Sequence, residues 1–194
     1  QNASFGRSRV ISFAGSQIAQ VFAEAGLADG TSESVVAFWD ALAARARGQR
    51  DDRLSQIGRL GERLTIDHET QRTGRHPTWI AIDNNADGYD VLSVVGPTDP
   101  HQLTIEVKTS TQGTSGFAML TRNEWEMAME SERHAFYFWN LRDPLKPKLA
   151  VVSSETMLNH MPQDQGMGQW DCTKVPFSAF TEQFASLNRN KSPV

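Results

Sequence analysis

Cysteine occurs once in the 194 residues, at Cys172, which excludes an internal disulfide and a thiolate zinc cluster and fits a reducing compartment. Long apolar runs are missing as well. No segment approaches the ~20 apolar residues a membrane span requires, and no basic stretch leads into an apolar signal core. A cytoplasmic protein that does not enter the membrane is therefore expected. Charge of one sign is scarce: the net charge of -4 argues against a surface given over wholly to nucleic acid, which needs clustered Lys and Arg. The five histidines, His68, His76, His101, His134 and His160, show no metal-ligand spacing and read as surface or turn residues. Serines lack a partnered histidine and acid, so serine hydrolase chemistry is unsupported. Neither an internal repeat nor a low-complexity tract is present. Methionine is absent from the first position, where Gln1 stands, as in a piece of a longer protein or a chain whose tag was removed.

What is present is enough for one substantial core, with 39% hydrophobic residues. Two adjacent segments carry the chemistry. Tyr89 to Val95 and Thr104 to Thr109 both read as strands, and the residues between them, Gly96 to His101, include two prolines and a glycine. That composition predicts a hairpin with antiparallel strands. Side chains two apart on a strand share a face, so Glu106 and Lys108 stand together while Ile105 and Val107 face the other way. Closure near Val95 and Gln102 sets Asp90 opposite either Glu106 or Lys108. Opposed Cβ atoms lie roughly 4.5 to 5.5 Å apart, close enough for Asp90 and Glu106 to hold one divalent cation. A carboxylate pair beside an amine points to phosphodiester hydrolysis, where a hard cation neutralises the charge that develops on phosphate. In that scheme the Val107 carbonyl adds a third oxygen. Lys108 orients the nucleophile or steadies the transition-state charge instead of acting as a simple base.

Helical spacing of apolar residues runs through Arg9 to Ala25 and Glu33 to Arg47, predicting an N-terminal helical hairpin with Thr31 or Ser32 as a cap. A third helix, about Asp52 to Glu69, carries a stripe of Leu54, Ile57, Gly58, Gly61 and Leu64 whose two glycines imply a close approach to another backbone. From Arg45 to Arg75 eight arginines face five acids. This excess reads equally as a phosphate-contacting stripe or as a solvated face laced with ion pairs. Thr78 to Ile82 is expected as a strand, followed by a turn-forming loop from Asp83 to Gly88. Thr121 and Glu124 form a capping box at the start of a helix whose buried side is Trp125, Ala128 and Met129. Ala135 to Trp139 and Leu149 to Val152 are expected as strands, Asn159 to Gln169 as a polar stretch, and Pro176 to Leu187 as a short amphipathic helix.

The chain resembles the PD-(D/E)xK nuclease superfamily through Glu62 on a helix, Asp90 at the start of a strand and Glu106-Val107-Lys108 on the next. Within it, Gly88 to Val91, Ile105 to Ser110 and Leu120 to Trp125 resemble the nuclease-like domain at the C-terminus of the plant NO VEIN protein and of many prokaryotic defence proteins. The similarity spans about Leu54 to Val152. Tyr89 stands where the motif's name has proline. The resemblance implies an α/β (α+β) fold, a restriction-endonuclease-like mixed sheet of about five strands flanked by helices, with residues 1–50 as a helical hairpin or linker and 51–194 as the nuclease-like domain. It implies a magnesium- or manganese-dependent endonuclease of a restriction or defence protein. Asp90, Glu106, Lys108 and Glu62 would be catalytic, Asp90, Glu106 and Val107 would bind the metal, and Arg59, Arg63 and Asn85 would contact nucleic acid. DNA is the expected partner, with RNA as a second substrate and a homodimer or a larger defence complex as the assembly.

Each residue also has a plainer explanation. Glu106 and Lys108 alone would make an ion pair worth under ~1 kcal/mol. Asp90 could cap the preceding loop, with Asp87 as the competing carboxylate. Glu62 suits a surface glutamate as well as a ligand. A nuclease fold that only binds or scaffolds nucleic acid is the alternative function. A glycosidase with paired carboxylates fits less well beside a lysine.

Overall fold

A computed structural model describes residues 6–47, 52–83, 87–164, 166 and 168–186. A mixed α/β architecture is built around one six-stranded sheet. At the N-terminus lie helices α1 (Arg7–Phe13), α2 (Gly15–Glu24), α3 (Glu33–Arg47) and α4 (Asp52–Thr73). The expected helix from Arg9 to Ala25 is broken at Ala14, because Gly15 adopts a positive φ of 76°. Phe22 on α2 packs against Phe38 and Trp39 on α3, closing the expected helical hairpin. Next come β1 (Thr78–Trp79), the one-turn helix α5 (Ile80–Asp83), β2 (Val91–Val94) and β3 (Gln102–Ser110). They are followed by β4 (Phe117–Thr121), α6 (Arg122–Glu130), β5 (His134–Asn140), β6 (Lys148–Ser153), α7 (Ser154–Leu158), β7 (Cys172–Pro176) and the two-residue β8 (Ala185–Ser186). Strand order in the main sheet is β1-β2-β3-β5-β6-β8, while β4 and β7 form a separate antiparallel pair. Among the described residues no helix is long and apolar enough to cross a membrane.

The central strand β5 explains the two-sided core. Phe136 and Phe138 enter one cluster with Leu120, Ala128, Val175 and Phe177, while Ala135, Tyr137 and Trp139 enter the other with Ile66, Val91 and Ile105. A strand buried on both faces reads as a continuous apolar run, as Ala135 to Trp139 does. β3 lies parallel to β5, with Glu106 beside Phe136 and Lys108 beside Phe138. Odd-numbered residues of β3 thus face α4, and Glu106 and Lys108 face the α6 side.

Several elements differ from the sequence expectation. The strand predicted over Thr78 to Ile82 stops at Trp79, because Ile80 and Ala81 turn their amides onto the Asp90 carbonyl at 2.9 and 3.0 Å. β4 has no counterpart among the expected elements: its exposed positions are Phe117 and Met119 and its buried ones Ala118 and Leu120, so hydrophobicity does not alternate although burial does. Of the helix expected over Pro176 to Leu187, the described part, to Ser186, is β7's last residue, a 3-10 turn over Phe177–Gln183, and β8, while Leu187 lies outside the described residues. Met129 is exposed, so only Trp125 and Ala128 of the expected trio pack inward from α6. His68 and His134 are half-buried against Tyr137 and Phe136, not at the surface.

The largest difference concerns α4. Leu54 is exposed, and the buried face is largely polar at a spacing of four: Gly61, Thr65, Glu69 and Thr73. Those polar groups are satisfied. Glu69 accepts from Arg72, Ser93 and Tyr137, and Thr65 accepts from the Trp139 indole. Burial works against the Glu69 carboxylate, but these three donors outweigh it and lower its pKa. Of the two glycines expected to approach another backbone, Gly58 makes no close approach, and Gly61 meets the Thr109 side chain of β3 instead, where an added Cβ would lie 1.9 Å from Oγ1. That close approach sets the distance between α4 and the sheet.

Gly61→Ala is expected to destabilise the fold by about 1–3 kcal/mol in urea melts through overpacking, and Thr109→Ala in the same chain to recover part of the deficit; unchanged midpoints would contradict the close approach. Burial drops the His134 pKa to about 4, so the folded state binds fewer protons than the unfolded one between about pH 4 and 6.5. Stability from this neutral imidazole is present above pH 6.5 and lost as pH falls toward 4. Relative to His134→Leu, the natural chain therefore loses about 2 kcal/mol more across that window in denaturant titrations at each pH.

Candidate functional site

The site arises because β2 begins one residue after Asp90 whereas its partner β3 continues to Ser110. Register along the hairpin pairs Val91 with Ile105 and Val94 with Gln102. The paired register ends at Val91, and Asp90 departs from the ladder, so neither of the two pairings the sequence leaves open is formed as a strand pair. Asp90 is fixed at both ends: its amide donates to the Ile105 carbonyl at 2.9 Å, and its Oδ2 accepts from the Val107 amide at 2.8 Å. On a strand the N–H and C=O of one residue leave on the same side. The Val107 carbonyl is thus directed toward the edge that β2 vacates.

A cavity of about 310 Å³ opens at this edge, lined by Asp40, Arg59, Glu62, Asp90, Glu106 and Glu124 among others. Lys108 Nζ lies 2.6 Å from Glu106 Oε1 and 2.9 Å from Glu124 Oε2. The sequence reads Glu124 only as a helix cap, and a cap it is. Its Oε2 accepts from the Thr121 amide at 2.8 Å while its own amide donates to Thr121 Oγ1. One carboxylate oxygen therefore ties the start of α6 to Lys108. A glutamate at the third position of a capping box whose threonine closes a strand is the available signal, but nothing in the sequence shows that the strand before it runs beside β3.

Glu62 reaches the same cavity from α4 with one oxygen already engaged. Its Oε2 accepts from Trp79 Nε1 at 2.5 Å and from Arg59 Nη1 at 2.6 Å. Arg59 also donates to Asp40 at 2.9 Å and to the Ala81 carbonyl at 3.2 Å. Its guanidinium is tied into the protein by these bonds to Glu62, Asp40 and Ala81. Burial opposes its charge, but Glu62 and Asp40 outweigh that and raise its pKa. Arg63 lies over the Trp79 ring, 5.5 Å from its centroid. Asn85 falls outside the described residues.

Electrostatics at the cavity are unbalanced. Five carboxylates (Asp40, Glu62, Asp90, Glu106, Glu124) face two cations, Arg59 and Lys108. Burial, reinforced by the Glu62 charge, pushes the Asp90 pKa up to about 7 against the opposing pull of Lys108 and the Val107 amide. Burial and then Asp90 raise Glu106 well above the ordinary carboxylate range. Lys108 moves the other way: burial disfavours its charge, but Glu106, Glu124 and Asp90 prevail and raise its pKa. Its ammonium form is the one these neighbours favour. Two buried, neighbouring carboxylates whose ionisation is opposed chiefly by burial, with Lys108 acting against that opposition, form a donor set suited to a hard cation. Among the described residues no three Asp, Glu, His or Cys side chains form a ready-made metal cluster. The arrangement thus offers two carboxylates and a main-chain carbonyl.

Residues 61–143 match the family described as Protein NO VEIN, C-terminal. This stretch contains Glu62, Asp90, Glu106, Lys108 and Glu124, and it runs from the middle of α4 to just past β5. No curated protein and no solved structure matches the chain significantly.

Arg59→Ala is expected to cost about 3 kcal/mol of stability in thermal or chemical melts, because it leaves Asp40 and Glu62 facing each other without their shared cation. A variant that melts like the parent would show the guanidinium to be a free surface group.

Proposed function

We propose that this domain hydrolyses phosphodiester bonds of nucleic acid with a divalent cation, as a DNA endonuclease. The observation that carries this reading is the 2.8 Å bond from the Val107 amide to Asp90 Oδ2, which ties Asp90 to the residue between Glu106 and Lys108, with the Lys108 ammonium 2.6 Å from Glu106. Asp90, Glu106 and the Val107 carbonyl are the groups that would hold magnesium or manganese. Magnesium keeps several waters and takes only one or two carboxylates from a protein, a demand that this donor set meets. When bound, the cation supplies neutralisation of phosphate charge and a more acidic water. Asp90 and Glu106 would hold it as carboxylates.

The remaining chemistry belongs to the chain. Lys108, held as an ammonium by Glu106 and Glu124, presents donors to a phosphate oxygen or to the attacking water. Glu124 sets where that ammonium sits, because its other bond is to the backbone at the start of α6. Glu62, fixed by Trp79 and Arg59, contributes negative charge beside Asp90 and has only Oε1 left to orient a water. A restriction or other defence protein is the setting that the family resemblance implies.

Plasmid and linear DNA incubated with magnesium or manganese should be cut, and a chelator should stop the cutting. Asp90→Asn, Glu106→Ala and Lys108→Ala are each expected to lower the rate by at least about 100-fold with folding retained, the scale of removing an electrostatic interaction made in the transition state. Glu124→Gln, which keeps the cap acceptor but removes the charge, should lower the rate less than Lys108→Ala does. Cleavage unaffected in both Glu106→Ala and Lys108→Ala would end the proposal. Tight DNA binding with no cleavage under any metal would instead identify a nucleic-acid-binding module.

A further inference from the structure

Of the eight arginines between Arg45 and Arg75, Arg59 and Arg72 are held in ion pairs and Arg63 lies over Trp79, while Arg50 and the side chains of Arg47 and Arg53 fall outside the described residues. An uncompensated positive surface is found elsewhere. The turn between β5 and β6 and the residues beside it form a concavity of about 540 Å³ lined by Gly113, Thr114, Asn140, Arg142, Lys146 and Lys148. All three cations are exposed, and among the described residues none makes an ion pair. Asp143 is the one acid on the wall, and its Oδ1 accepts from the Leu145 amide at 3.0 Å, within the turn. Gly113, with φ of 67°, lets the backbone come in under Arg142: an added Cβ would lie 3.0 Å from Arg142 Cδ. A local charge of +2 in a chain of net charge -4 is a departure that solubility does not require.

Its position is the second observation. β3 and β5 are parallel, with Ser110 beside Asn140, and β6 enters at Lys148 opposite Asn140. The concavity therefore lies at the C-terminal ends of the parallel pair, the same end of the sheet at which β3 outruns β2 and the acidic cavity opens. With strands about 4.8 Å apart and about 3.3 Å per residue, Lys108 and Lys148 are separated by about 12 Å across the sheet edge. At a rise of about 3.4 Å per base pair this is about three to four base pairs.

We propose that Arg142, Lys146 and Lys148 form a phosphate-binding site for the backbone of duplex DNA, gripping the substrate about three to four base pairs from the bond placed in the acidic cavity. The proposal rests on the nuclease reading for its substrate and goes beyond it in naming the surface. Such a grip offsets the repulsion that a cavity with five carboxylates exerts on a polyanion, and phosphate contacts of this kind position a duplex without reading its sequence.

The test is fluorescence anisotropy of the full chain with a labelled DNA duplex of about two helical turns in chelator, at several salt concentrations, so that binding is read without cleavage. Arg142→Glu/Lys146→Glu should weaken binding at least about tenfold and make the slope of log affinity against log salt shallower by about two, one for each phosphate no longer neutralised. Arg75→Glu/Lys174→Glu, which changes net charge equally at other exposed positions, should weaken binding far less. Equal weakening by the two pairs, an unchanged salt slope, or a natural chain that does not bind DNA would each overturn the proposal. Hydrolysis of bis(p-nitrophenyl) phosphate by the natural chain with manganese is measured in parallel. Its absence counts against the nuclease reading alone, since the binding result stands without it.

Discussion

The organising constraint in this protein is a mismatch of strand lengths. β2 starts at Val91 while β3 runs on to Ser110, and the uneven edge leaves an amide, a carbonyl and a row of β3 side chains without a neighbouring strand. Asp90 fills part of that edge by accepting from the Val107 amide with its side chain. A single hydrogen bond thereby does what a ladder would have done and holds a carboxylate at the residue between Glu106 and Lys108. Had β2 extended two residues further, backbone pairing would have closed the edge and the cavity with it.

The surrounding structure maintains this gap at some energetic cost. Helix α4 is brought against β3 by Gly61 and Thr109, and its buried face carries Glu62 and Glu69 where leucines would have been easier to bury. Each of the two glutamates is matched by donors. Glu69, far down the helix, is neutralised by Arg72 and two hydroxyls, and it anchors the helix to Ser93 and Tyr137. Glu62, about two turns nearer the gap, is matched by Trp79 and Arg59 with one oxygen still open to the cavity. The same helix thus pairs a purely structural carboxylate with one placed beside Asp90. On the opposite side α6 returns Glu124 to Lys108 through its cap, so the lysine is fixed by two elements that are distinct in the sequence.

Legibility of these features in the sequence follows their locality. The β2–β3 hairpin is readable because prolines, a glycine and period-two patterning all lie close together along the chain, and its register needs only the turn. The capping box at Thr121 and Glu124 is readable for the same reason. β5 and β6 are readable as apolar runs. The buried face of α4 is not, since the sequence marks it with threonines and glutamates and the apolar stripe expected there includes an exposed Leu54. Its partners Ser93, Tyr137 and Trp139 come from two strands well downstream of the helix. The β4–β7 pair is hidden because its halves are far apart in the chain and β7 buries only Val175 deeply. Glu124 and Trp79 are hidden for a related reason: each has a sufficient local explanation, and only the fold gives it a second partner.

Two buried carboxylates, Asp90 and Glu106, with one ammonium beside them are the physical core of the functional reading. Anomalous diffraction from a crystal soaked in manganese tests that reading without recourse to activity. One strong peak is expected between the carboxylates of Asp90 and Glu106, within coordination distance of the Val107 carbonyl and gone in Glu106→Ala crystals. A soaked crystal with no peak there, or with the Asp90 side chain turned away from Glu106, would contradict a metal-dependent site.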